Sequence, residues 1–186
     1  MNILVIGAGG VGASMASIAE TRSFFTQFVL ADISLSRAEE AIALLDDRSK
    51  FVAEQVDARD MGAIKALIQK VKADVVVNAC DPRMNEPIFN AAFEAHCNYI
   101  DMAMNLSEPH ASNPYEEVGS PLGADQLAAD QAWRDRGLLA LVGMGVEPGL
   151  SDVFARYAAD NLFDTIDEIG VRDGSNLSID GLDFAP

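Results

Sequence analysis

Apolar residues in this chain fall into short, nearly continuous runs, and between the runs they recur every three or four positions. NILVI (2–6), QFVLAD (27–32), FVAEQV (51–56), DVVVNA (74–79), NYIDM (98–102) and LLALVG (138–143) have strand length and little alternation. Val11, Met15 and Ile18 mark a helix after the first run. SRAEEAIALLD (36–46), MGAIKALIQKV (61–71), EPIFNAAFEAH (86–96) and GADQLAADQAWRDR (123–136) supply the others. Strands that are apolar on both faces and alternate with helices predict a parallel sheet covered on both sides. The expected fold class is therefore α/β, a doubly wound Rossmann domain over residues 1–150.

Two segments leave this rhythm. Residues 105–121, NLSEPHASNPYEEVGSP, carry three prolines and no periodicity, which predicts a lid or a mobile surface insertion. After an amphipathic run, VFARYAADNLF, the tail from Thr165 reads as a strand, a Gly-Ser-Asn turn and a second strand. Residues 151–186 are thus expected to hold a linker helix and the start of a second, incomplete α+β domain.

Charge narrows the partners. The 186 residues carry a formal net charge of -16, which repels nucleic acid and anionic membranes and leaves a small molecule or a protein. Two cysteines, Cys80 and Cys97, lack companions at metal-ligand spacing, so both are expected as free thiols with no metal site. The chain opens MNILVIGAGG without a basic leader, and no apolar run reaches the roughly 20 residues of a membrane span. A soluble, cytoplasmic protein is expected.

The sharpest motif is Gly7-Ala8-Gly9-Gly10-Val11-Gly12, immediately after a strand and opening a helix. Its first glycine permits the tight turn, its second lets pyrophosphate approach, and its third allows helix and strand to pack closely. Asp32 ends the second strand, where a carboxylate accepts hydrogen bonds from ribose hydroxyls. A 2'-phosphate there would meet like charge, so NAD is preferred over NADP. Arg37 is either a 2'-phosphate ligand or a solvated helix residue. Asp57 is either an acceptor for the adenine amine or a turn and cap residue. Asn78, Ala79 and Cys80 end the fourth strand, where the nicotinamide half should lie. Arg83 follows, as a substrate-carboxylate ligand or an exposed arginine.

Tyr99 and Asp101 share one face of the fifth strand by alternation. Asp101 is a candidate general base or ammonium ligand, or else a buried structural acid. His96 falls at a helix C-terminus and His110 in the insertion, neither with a relay partner. The stretch GVEPGLSD (145–152) follows the sixth strand, at the edge where ligands of this fold bind, and offers Glu147 as a second candidate catalytic carboxylate. The same stretch is also readable as a rigid turn that launches a helix.

Taken together, MNILVIGAGGVG, LADIS, VDARD, VVNACDP, NYIDMA and GMGVEPGLSD resemble the saccharopine dehydrogenase family. The resemblance implies oxidoreduction at the carbon-nitrogen bond of an amino acid or polyamine derivative, with NAD or NADP as cofactor. It implies that Gly7, Gly9, Gly12 and Asp32 bind cofactor and that Asn78 and Ala79 border the nicotinamide ribose. Tyr99, Asp101 and residues 145–149 would face substrate. It further implies a homodimer in the full-length form, and His96 stands where many relatives have glycine. The 186-residue chain alone is expected to bind dinucleotide weakly and to catalyse nothing. A non-catalytic, dinucleotide-sensing regulatory module is the competing class.

Overall fold

A computed structural model describes residues 1–172. Six strands, β1 (Asn2–Ile6), β2 (Gln27–Asp32), β3 (Phe51–Gln55), β4 (Val75–Asn78), β5 (Asn98–Asp101) and β6 (Ala140–Leu141), form one sheet in the order β3-β2-β1-β4-β5-β6. Every pairing is parallel. Leu4 of β1 lies opposite Val29 on one side and Val76 on the other. The chain leaves β1 toward β2 on one side and later enters β4 on the other, so a crevice opens at their carboxyl ends.

Strand alternation splits the core into two layers. Leu4, Ile6, Val76 and Tyr99 point toward helices α3 (Met61–Val71) and α4 (Asn85–Glu94), while Ile3, Val5, Leu30 and Val77 point toward α1 (Gly10–Glu20) and α2 (Leu35–Ala43). The buried face of α1 is made of Gly12, Ala16 and Ala19, so its backbone lies close on the sheet. Helix α3 starts at Asp60, whose carboxylate accepts from Ala63 N at 2.9 Å. It ends at Lys72 in the left-handed region, φ 52°. His96 does the same after α4, with φ 55°. A left-handed backbone suits glycine best, since glycine alone adopts it without a Cβ penalty, and here histidine takes it.

Three expectations change. The helix expected over 123–136 is two short ones, α5 (Ala124–Ala128) and α6 (Asp130–Asp135). Each has its own anchor: Gln126 of α5 is buried beneath the sheet edge, and Trp133 of α6 packs on Phe89 and Phe93 with ring centroids 4.9 and 5.3 Å away. Strand β6 has two residues where 138–143 was expected. Side chains of β5 replace its ladder at both ends, Asn98 Oδ1 accepting from Leu139 N and Asp101 Oδ1 from Gly143 N. The 105–121 segment is a closed loop, pinned by paired backbone bonds between Glu108 and Ser120 and by Gly123 N donating to Asn105 O.

Helix α7 (Leu150–Asn161) follows the Glu147–Pro148 corner and buries none of its residues. Residues 165–172 form no strand, and the remainder of the expected hairpin lies outside the described residues. No helix among the described residues is long and apolar enough to cross a membrane.

Candidate functional site

The crevice between the β1 and β4 ends is built around backbone contact. Gly7 has φ 107°, and a Cβ on it would stand 2.7 Å from Ala79 O. A Cβ on Gly12 would overlap the carbonyl oxygen of Gly7. Gly9 and Gly10 meet nothing within 4 Å and border open space. No side chain caps α1, and its first backbone bond to this turn is Ala13 N to Gly9 O at 2.9 Å. The N–H groups of Gly10, Val11 and Gly12 therefore face that space unspent, as an anion seat requires. This arrangement fits a dinucleotide pyrophosphate.

Beside the seat, a cavity of about 370 Å³ is lined by Gly7, Asp32, Ile33, Arg37, Asp57, Arg59 and Cys80, among others. Asp32 is 7% exposed. Its Oδ2 accepts from Ala8 N at 2.9 Å and its Oδ1 from Ser34 N at 3.0 Å, so the carboxylate braces the glycine loop from below. Each oxygen keeps lone pairs for a further donor. Arg37 Nη1 lies 3.8 Å from Oδ1.

At the ends of β3 and β4 the same clamp occurs twice. Asp57 accepts from Arg59 N, Nε and Nη2 at 2.9, 3.0 and 2.7 Å, and Asp81 accepts from Arg83 N, Nε and Nη2 at 3.0, 2.8 and 3.0 Å. The bonds to arginine pull both carboxyls down to about 2. Asp57 thus shapes its own turn and holds Arg59 at the cavity, while Asp60 does the capping of α3. Arg83 lies at the rim of a separate cavity with its guanidinium already committed bidentately. Cys80 is half-buried and donates to Ile6 O at 3.3 Å; burial, then the nearby Asp32 and Asp81 charges, push its thiol up to about 11. It is a neutral wall residue.

Asn78 and Tyr99 share one buried polar cluster, and Asp101, the register partner of Asn78 on β5, anchors a second beside it. Asn78 donates to Asn85 Oδ1 at 2.7 Å and Tyr99 Oη at 3.3 Å, and accepts from Cys80 N at 2.9 Å. Tyr99 is wholly buried against Phe89, its ring edge-on at 5.1 Å, so its side chain does not face the crevice as expected of a substrate ligand. Asp101, 1% exposed, accepts from Gly143 N at 2.7 Å and Gln126 Nε2 at 2.7 Å. Burial raises its pKa, against those hydrogen bonds, which lower it. With its carboxylate buried and already accepting from two protein donors, Asp101 suits the structural acid of the alternatives the sequence offered.

Instead Asp101 ties three segments together. Met144 N donates to its carbonyl, Gly143 to its side chain, and Gln126 passes the link on to Asn105 N at 2.8 Å. Gln126 and Asn85 were not anticipated. The one available signal was a polar residue at 126 on the stripe it shares with Ala129 and Trp133. The corner itself is tight, for a Cβ on Gly149 (φ 130°) would meet Gly145 O at 2.5 Å. Asp152 Oδ2 accepts from Gly149 N at 2.9 Å, whereas Glu147 is exposed and without a side-chain partner among the described residues.

Strand order, glycine turn and uncapped helix start define a dinucleotide-binding Rossmann domain. The family described as "Saccharopine dehydrogenase NADP binding domain" matches residues 3–141, and the chain belongs to that family. It is 34% identical over 181 residues to carboxynorspermidine synthase of Vibrio cholerae serotype O1, covering 93% of this chain and 43% of that protein. It is 29% identical over 171 residues to carboxyaminopropylagmatine dehydrogenase of Synechocystis sp., covering 92% and 41%. The chain thus spans about two fifths of the length of these relatives. Among solved structures, saccharopine dehydrogenase (L-Glu forming) from Saccharomyces cerevisiae superposes with a TM-score of 0.63 at 14% identity, over 87% of this chain and 31% of that one. That likeness speaks for the fold.

Proposed function

We propose that the full-length protein is an NAD(P)-dependent oxidoreductase acting on the carbon-nitrogen bond of an amino acid or polyamine derivative, with NAD preferred. The observation that carries this reading is the glycine turn locked between β1 and β4, with unspent N–H groups above it and Asp32 beneath it, in a chain of this family. The names of the two relatives, a carboxynorspermidine synthase and a carboxyaminopropylagmatine dehydrogenase, support an amine derivative as substrate.

A bound nicotinamide cofactor supplies the hydride. The residues of this chain seat its phosphates on α1, accept its ribose hydroxyls at Asp32, and wall it with the neutral Cys80. Positioning is the main demand of such a transfer, so no side-chain nucleophile is required. Preference for NAD rests on Asp32: a 2'-phosphate would come against a buried carboxylate whose nearest guanidinium, Arg37, already answers it. Glu147 is proposed as the exposed carboxylate on the substrate side of the corner. Exposed Phe154, Tyr157 and Phe163 support a homodimer or further domain covering α7, and the family resemblance supports a cytoplasmic enzyme.

Titrating the full-length protein with NADH and NADPH, by nicotinamide fluorescence, tests the cofactor. NADH should bind at least about 10-fold tighter, and Asp32→Ser should narrow that ratio by about 10-fold. Equal affinities would refute the preference. Nicotinamide absorbance followed with lysine, saccharopine, and amine-plus-aldehyde mixtures tests turnover. Tight binding without turnover of any of them would favour the sensor reading.

A further inference from the structure

The cavity of about 370 Å³ beside the glycine turn takes two of its walls from loop ends that neither the phosphates nor Asp32 require. Ile33 follows β2 and is exposed, and Arg59 stands on the turn between β3 and α3 with its side chain 68% exposed. Gln55 Nε2 donates to Ile33 O at 2.9 Å, and Val56 N donates to Asp32 O at 3.0 Å. The two loop ends are thereby fixed against each other.

An exposed arginine ordinarily samples many rotamers. Here Asp57 accepts from the Arg59 backbone N–H, Nε and Nη2 at 2.9, 3.0 and 2.7 Å, so the guanidinium plane is held in one orientation at the cavity wall. With its pKa drawn down to about 2 by those bonds, Asp57 stays ionised and the clamp stays shut at neutral pH. Asp57 also cancels the arginine's charge, so a phosphate gains little there. What Arg59 still offers is a flat face.

A guanidinium face stacks on aromatic rings, and stacking takes little account of the groups at the ring's edge. Ile33 and Ala58 add apolar surface to the same cavity. With a ribose at Asp32, the part of a dinucleotide that can use a flat, half-apolar slot is the purine base next to that ribose. Sugar and phosphate have no such face.

We infer that Arg59, clamped by Asp57, is a stacking shelf for the purine base of the dinucleotide, with Ile33 as its apolar wall, and that the base is chosen by its face and not by its exocyclic amine. The inference rests on the dinucleotide-binding part of the proposed function. Asp57 is a positioning residue in this arrangement. Its Oδ1 accepts twice and its Oδ2 once, all from Arg59, so the carboxylate serves the clamp in place of the adenine amine. A dinucleotide whose adenine is replaced by hypoxanthine, with a carbonyl where the amine was, should therefore be accepted as well.

Fluorescence titration of the full-length protein with NADH and with reduced nicotinamide hypoxanthine dinucleotide tests the shelf. The two should bind within about 3-fold of each other. Arg59→Lys keeps the charge and loses the plane, and it should weaken both by about 10-fold. Reduced nicotinamide mononucleotide, which lacks the base, should bind wild type and variant alike, which also reports that the variant is folded. Asp57→Asn should weaken NADH binding by about 3-fold in the wild type and add nothing in the Arg59→Lys background. The shelf is overturned by NADH affinity that ignores Arg59→Lys, or by an equal loss for the mononucleotide. It is equally overturned by a hypoxanthine dinucleotide bound about 10-fold or more weaker, or by an Asp57→Asn effect that persists in the Arg59→Lys background. Any of these in a protein that binds NADH and turns over substrate leaves the oxidoreductase reading standing. The predicted pattern in a protein that turns over none of the candidate substrates upholds the shelf and sinks that reading. A wild type that binds no dinucleotide overturns both.

Discussion

Gly12→Ala strongly weakens dinucleotide binding and destabilises the domain, because its new methyl group has nowhere to go except into the Gly7 carbonyl oxygen. The clash is backbone against backbone at the junction of β1 and α1, so relief requires the helix to lift off the sheet. A forced separation of this kind costs about 1–3 kcal/mol or more in stability. It also displaces the N–H groups that face the pyrophosphate, which should weaken NADH binding by about 100-fold or more, or about 3 kcal/mol. Gly9→Ala provides the contrast. Its backbone, φ -74°, is open to any residue, and its Cβ meets nothing within 4 Å. This variant should fold with wild-type stability yet lose affinity, since the methyl group enters the space that the ligand needs. Fluorescence titration with NADH and denaturant unfolding followed at Trp133 separate the two cases. A stable Gly12→Ala protein with normal affinity would show that the close approach is unnecessary.

Asp101→Ala carries the second large effect, this time with no ligand involved. Its removal orphans Gly143 N–H and Gln126 Nε2 in the interior, and loosens the corner and the 105–126 segment together. About 2–5 kcal/mol of stability should go with it. The pH dependence has a definite sign. Burial raises the Asp101 pKa above its ordinary 3.8, so the folded protein holds this proton more firmly than the unfolded chain does. The contribution of that titration to stability is fully present below about pH 3.8 and is lost as pH rises through the raised value. Asp57 and Asp81, held low by Arg59 and Arg83, run the other way, so the raw stability curve mixes both signs. The difference between wild type and Asp101→Asn isolates the one group. That difference should shift against the wild type as pH climbs from about 4 toward neutrality. A difference flat with pH would mean that Asp101 titrates normally.

The two buried clusters also bear on how the carboxyl edge of the sheet is held. Asn78 braces the β4 end beside the glycine turn, and Gln126, held by Asp101 at the end of β5, braces the loop that carries Asn105. Both braces stand at paired positions of neighbouring strands, Asn78 of β4 opposite Asp101 of β5. Hydride transfer depends on such fixed distances between donor and acceptor.

Much of this architecture was legible in the order of residues. Six apolar runs, five helical patterns and one glycine turn at the right place were enough for a doubly wound sheet, because burial on both faces leaves a strand no other composition. Gly7, Gly12 and Asp32 were readable for the same reason: close backbone approach and a carboxylate at the second strand end are local demands, met by local sequence. The roles of Asp101, Tyr99 and Asp57 were not local. Alternation put Tyr99 and Asp101 on one face, but only the arrival of Gln126, 25 residues later, and of Gly143, 42 residues later, determined that the carboxylate would be enclosed. Asp57 read as an adenine acceptor or a turn and cap residue, and only the folded chain shows Arg59, two positions on, closed back over its carboxylate. The loop 105–121 read as structureless because its order comes from backbone pairing between Glu108 and Ser120, which leaves no periodic trace in side-chain type. What the sequence determined by itself was therefore the sheet and the dinucleotide turn, which follow from period and steric size. The tertiary structure alone decided which carboxylates are sealed, which are clamped and which stay free to bind, because a charged group's role depends on the donors brought to it from distant parts of the chain.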